Sequence, residues 1–216
     1  MTKTGERLIS QLLEDPSYFK EKGLAYQLLS EVFAGHPLDD IRRLLLSSVP
    51  LVQHAGAFVA SELGAESVRL LDELIPLARS ADIYVRYNAL EAIAVATATD
   101  KQEEFVHVLL ALNDDDERVR RMAMRVASRV SSVQLLAAER GFLHIAMDAG
   151  ERGEHLEGLH MLNGDGWYEH AQTYLLAGTS DLLRQYAAIA FKRSGGFDEL
   201  VSSVEDDDVL DLWRSD

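Results

Sequence analysis

No cysteine occurs among the 216 residues. Disulfides, thiol catalysis and Cys-ligated zinc or iron–sulfur centres are therefore excluded, and any metal would have to rest on histidine and carboxylate. Nowhere do eighteen or more apolar residues stand together. The opening Met1-Thr2-Lys3-Thr4-Gly5-Glu6-Arg7 leads into a short amphipathic run, so neither a membrane span nor a secretory leader is expected. Basic residues are scarce: 21 Lys and Arg face 36 Asp and Glu, a net charge of −15. Such a charge disfavours nucleic acid and anionic membrane and favours basic partners through electrostatic steering. Strand-like alternation of useful length is missing, as are Gly-x-Ser-x-Gly, Walker and Gly-x-Gly-x-x-Gly sequences. The expectation is a helical, cytoplasmic protein without cofactor, metal or catalytic site, whose 47% apolar content suffices for a sizeable core.

An internal repeat organises what is there. Asp82-Ile83-Tyr84-Val85-Arg86-Tyr87-Asn88-Ala89 recurs thirty-four positions later as Asp116-Glu117-Arg118-Val119-Arg120-Arg121-Met122-Ala123, with Asp, Val-Arg and Ala at the same offsets. Each copy opens a helix-period run, Ala89, Ala92, Ile93, Ala96 in one and Ala123, Val126, Ala127, Val130 in the other. Leu71, Leu74 and Ile75 ahead of the first copy fall onto Phe105, Val108 and Leu109 ahead of the second, so the unit is helix, turn, helix. The aspartate suits an N-cap, where its carboxylate accepts backbone N–H groups and meets the positive end of the helix dipole. The alanine keeps the second helix thin enough for a neighbouring helix to come close. A lone amphipathic hairpin cannot bury its own apolar stripe, so such units are stable only when stacked.

The Asp-x-x-Val-Arg-x-x-Ala pattern behind a Leu-rich helix resembles the HEAT repeat family. That resemblance implies an all-α fold, an α-solenoid of HEAT-like helix-turn-helix repeats covering residues 1–216 as one domain. The clear repeats are 67–98 and 101–130. Residues 38–63, with Ala55 thirty-four positions before Ala89, and residues 167–194 form degenerate ones, and the carboxylate-rich 197–216 forms an acidic C-terminal cap. Ahead of these, helices are expected over 5–14 and from Ser17 to about Ala34, stopped by Gly35-His36-Pro37. Between the second clear repeat and 167, the segments Val133–Glu139, Phe142–Met147 and His155–Leu162 read as short helices separated by Gly141, Gly150, Gly153 and the Asn163-Gly164-Asp165-Gly166 turn.

In HEAT-like proteins the second helices line the concave side, which makes their surface rows the candidate binding site. Arg118, Arg121, Arg125 and Arg129 form one stripe at spacings of three and four, and their equivalents one repeat earlier are Tyr84, Tyr87, Glu91 and Val95. Tyr84, Tyr87, Asn88, Glu91, Arg118, Arg121 and Arg125 are therefore expected to make a patch of aromatic anchors and charges able to grip a protein partner. The same arginines can instead be neutralised by Asp114, Asp115, Asp116 and Glu117 in a solvated mesh. His144, His155, His160 and His170 cluster in sequence, but their spacing lacks the four-residue step that sets two metal ligands on one helical face, and they read as isolated surface or half-buried side chains. Asp206-Asp207-Asp208 and Asp114-Asp115-Asp116 lack the glycine and terminal glutamate of a calcium loop.

Small acidic HEAT-like proteins of this length look like bacterial immunity proteins, which neutralise a cognate toxin domain. The resemblance implies a basic protein partner, such as a toxin, and no small-molecule substrate. HEAT-like DNA glycosylases offer a second reading, with Asp181, Trp167 and Trp213 in the roles of concave acid and aromatics. The lack of basic excess weighs against it. A scaffold or lyase-like accessory protein is the third.

Overall fold

Asp82 accepts the backbone N–H groups of Tyr84 and Val85 at 2.9 and 3.1 Å in the computed structural model of the chain, and so starts helix α7 (Ile83–Ala96). Asp116 does the same for α9 (Glu117–Arg129), accepting the N–H of Arg118 at 3.0 Å. The structure describes residues 3–21, 23–163, 167–177, 180–195 and 209, and among them no residue is in a strand. The chain divides into two compact units, Met1–Ala96 and Thr97–Asp216.

The first unit holds α1 (Lys3–Glu14), α2 (Tyr18–Glu21), α3 (Leu24–Phe33), α4 (Leu38–Leu45), α5 (Pro50–Ser61), a 3-10 segment Gly64–Leu70 that runs into α6 (Leu71–Leu77), and α7. Leu8, Ile9 and Leu12 from α1, Leu28 from α3, Ile41 and Leu44 from α4, and Val52 and Val59 from α5 are buried together with Leu71 and Leu74 of α6. The single helix expected from Ser17 to about Ala34 is two helices. Gly23 sits at φ +58, in the left-handed region that ends the α2 geometry and that glycine enters without steric cost. The stop at Gly35 has a definite mechanism: Gly35 N–H donates to Val32 O at 2.9 Å and His36 N–H to Glu31 O at 2.9 Å, the paired bonds of a Schellman terminus.

The second unit holds a 3-10 segment Gln102–Phe105 leading into α8 (Val106–Leu110), a 3-10 turn Ala111–Asn113, then α9, α10 (Ser132–Gly141), α11 (Ala149–Asn163), α12 (Trp167–Ala177) and α13 (Asp181–Arg193). Its buried aromatic core is Phe105, Phe142, Tyr186 and Phe191. Ser131 and Ser180 cap α10 and α13 through their hydroxyls. Phe142–Met147 is a turn and bend followed by irregular chain, not the expected helix. Gly150 and Gly153 do not separate helices but lie inside α11, because Asp148 accepts the N–H of Gly150 at 2.7 Å and starts the helix ahead of both. Ala89 and Ala123 are completely buried, as their equivalent offsets predict. The Gly164-Asp165-Gly166 part of the expected turn and the acidic segment 197–216 lie outside the described residues, apart from Val209, which is buried.

Candidate functional site

The shared Val-Arg pair explains itself at the helix entrances. Arg86 Nη1 donates to the carbonyl of Ser80 at 2.7 Å, and thirty-four positions later Arg120 Nη1 donates to the carbonyl of Asp114 at 2.9 Å. The same two turn residues also receive the cap residue's own N–H: Ser80 Oγ from Asp82 at 3.2 Å, Asp114 Oδ1 from Asp116 at 2.9 Å. Turn, cap and guanidinium thus form one closed unit in each hairpin, and these arginines are committed to the fold.

The expected Tyr/Arg row is distributed unevenly by this geometry. Tyr84, Tyr87, Asn88 and Glu91 belong to the first unit and Arg118, Arg121 and Arg125 to the second. Asn88 is buried, its amide donating to Tyr84 O at 2.9 Å within its own helix, which corrects its place on the surface. Arg118 is exposed but grips Asp116 with two nitrogens, Nε at 3.1 Å and Nη2 at 2.9 Å. That hydrogen bond first, with the backbone N–H groups and the charge of Arg118 adding to it, lowers the Asp116 pKa to about 2. Arg121 Nη2 lies 3.5 Å from Glu117. The carboxylates at the start of α9 therefore neutralise the first half of the arginine stripe, as the solvated-mesh alternative requires. Arg125 is half-buried.

Tyr84 takes part in a different array, inside the first unit. Its ring stacks on His54 of α5 at 5.4 Å and 17°. His54 meets the edge of Phe19 at 4.6 Å, Phe19 lies 6.3 Å from Phe58, and Phe58 meets Tyr26 edge-on at 4.9 Å. Five rings from α2, α3, α5 and α7 thus form a continuous ladder, whose ends are open to solvent: Tyr26 is 66% and Tyr84 55% exposed. Offset and edge-on pairs of this kind orient one another, so the ladder is a rigid apolar surface with polar tips and little rotamer entropy left to lose. Phe19, Tyr26, His54 and Phe58 gave no signal as a group in the sequence. Phe19 and Tyr26 precede the repeats, and the repeat alignment sets His54 against Asn88, whereas the contact is made one helical turn earlier with Tyr84.

The histidines part company. His144 and His160 are exposed, and the side chain of His170 lies outside the described residues. His155, expected at or near the surface, is completely buried: its ring stacks on Phe142 at 4.8 Å, and Nδ1 lies 2.9 Å from the Tyr186 hydroxyl. Burial without a counter-charge lowers its pKa to about 4, and burial likewise raises that of Tyr186. No group of three His, Asp or Glu side chains among the described residues converges as a metal site would require. Asp181 pairs with Arg184 in the first turn of α13, and the side chains of Trp167 and Trp213 lie outside the described residues. Among the described residues no helix is long and apolar enough to cross a membrane.

No protein-family model and no curated protein matches this chain.

Proposed function

We propose that this chain is a non-enzymatic protein-binding module, built as a HEAT-like solenoid, that recognises a basic protein partner such as a toxin domain. The observation that carries this reading is the aromatic ladder Tyr26, Phe58, Phe19, His54 and Tyr84, whose half-buried middle rings support the two exposed tyrosines at its ends. Tyrosine is among the residue types that dominate binding energy when desolvated, and a rigid row of rings gives a partner apolar area at low entropic cost. The net charge of −15 supplies the complementary long-range attraction for a basic partner. Tyr87 and Glu91 follow Tyr84 on the same helix at the spacing that extends this surface.

The test is affinity capture from the source cells, followed by titration of the purified captured protein with variants. Tyr84→Ala and Tyr26→Ala are each expected to weaken binding by roughly 2 kcal/mol or more with an unchanged melting curve. Association should slow as salt rises, because steering is screened over about 8 to 10 Å near physiological ionic strength. Undiminished affinity in both variants, with binding lost only on removal of residues 205–216, would move the contact to the acidic tail.

A further inference from the structure

We infer that a cleft in the second unit, at the C-terminal ends of α9, α11 and α13, binds a small organic anion with one carboxylate on an apolar body. The cleft has a volume of about 370 Å³. That lies within the roughly 300 to 1,000 Å³ of small-molecule sites. Val130, Met161, Leu162 and Ala190 give it apolar walls, and Arg129 and Arg193 stand on its lining as cations.

Arg193 is the reason for naming an anion. Its Nη1 donates to the carbonyls of Ala127 at 3.2 Å and Val130 at 2.6 Å, and its Nη2 contacts Ser132 Oγ at 3.4 Å. All three acceptors are neutral, and no carboxylate of the described residues pairs with this guanidinium. A half-buried arginine with no carboxylate partner among the described residues is an uncompensated charge there, and burial accordingly lowers its pKa. A guanidinium carries five N–H groups, so these contacts leave Nε–H and one Nη2–H, the side-on edge that grips a carboxylate with two parallel bonds. The two hydroxyls on the lining are already donating elsewhere, Ser128 to Arg125 O at 2.8 Å and Ser194 to Phe191 O at 2.7 Å. The donor for a ligand is therefore Arg193, and much of the remaining wall is hydrocarbon. A monocarboxylate with an alkyl chain matches both halves.

Holding the end of α9 accounts for one edge of Arg193 but not for the cleft, nor for the lack of a carboxylate partner among the described residues. The experiment is calorimetric titration of the full chain with octanoate, 1-octanol and acetate. Octanoate should bind at a single class of site, with octanol and acetate each at least about tenfold weaker. Arg193→Gln should weaken octanoate by a similar factor. Because that variant also loosens α9, Ser194→Trp decides: it places a large ring at the cleft from an exposed position, and should abolish octanoate binding with the melting temperature preserved. No saturable octanoate binding, equal binding of octanoate and octanol, or undiminished binding in folded Ser194→Trp would each overturn the proposal.

Discussion

Nδ1 of His155 lies 2.9 Å from the hydroxyl of Tyr186, across the contact of α11 with α13, where neither side chain reaches water. The other ring nitrogen, Nε2, is buried without a partner. A proton added to this ring would place a charge where neither water nor a carboxylate answers it, which is why its pKa falls from 6.5 to about 4.

Acid should weaken the second unit in a defined window. The folded ring stays neutral down to about pH 4, whereas the unfolded ring takes up a proton near 6.5, so the unfolded state binds more protons between those values. The stabilisation is complete above about pH 6.5 and declines as the pH falls, by up to about 3 kcal/mol at the lower end. Urea denaturation at pH 7 and pH 4.5 reads the slope. His155→Gln should flatten it, and an equal slope in variant and parent would remove His155 as the cause.

Two glycines of α11 should respond to alanine with opposite signs. A Cβ at Gly158 would sit 2.2 Å from the Tyr186 ring, so Gly158→Ala should destabilise by about 1 to 3 kcal/mol through overpacking. A Cβ at Gly153 would meet nothing within 4 Å, and Gly153→Ala should stabilise by about 0.5 to 1 kcal/mol through helix propensity. Thermal melts of the two variants check both signs.

Ala123→Leu should also destabilise, by roughly 1 to 3 kcal/mol, because Ala123 is completely buried among well-packed neighbours. An unchanged melting curve would show that the site has room for three more carbons.

Arg120→Met keeps the aliphatic stem and removes the donor to the carbonyls of Asp114 and Asp115. A loss of about 1 kcal/mol or more is expected, with a comparable loss in Arg86→Met, since Arg86 makes the matching bond to Ser80. Denaturant midpoints measure both. A large loss in one variant and none in the other would show that the two turns are not energetically alike.

What could be read from the sequence is what a few neighbouring residues decide. Asp82 and Asp116 were legible as caps because a carboxylate reaches an amide only two or three positions ahead, and Gly35 was legible as a stop because Pro37 follows it. Gly23 escaped notice because the apolar period runs straight across it. Gly150 and Gly153 misled because their cost is small beside the packing of Leu159 and Met161 on the same helix. His155 is buried because Gly158, one turn on, has no side chain to hold α13 away, a consequence of tertiary approach that no local pattern contains. The aromatic ladder was hidden for a related reason. Adjacent helices are staggered along their axes, so His54 faces Tyr84 and not its counterpart in the repeat.

The arginine that reaches back to the hairpin turn acts as a gauge of loop length. In both hairpins the bond spans six residues, from Arg86 to Ser80 and from Arg120 to Asp114. One residue inserted between them would carry the carbonyl out of reach and rotate the cap carboxylate off its amides in the same move. These two turns are thus closed to insertion and deletion, and the entrance of α11 is closed in the same way, because Arg152 Nη2 holds Ile145 O at 2.7 Å across the Asp148 cap. Peptide tags or reporter loops grafted into this protein should therefore avoid Ser80–Arg86, Asp114–Arg120 and Ile145–Arg152 alike.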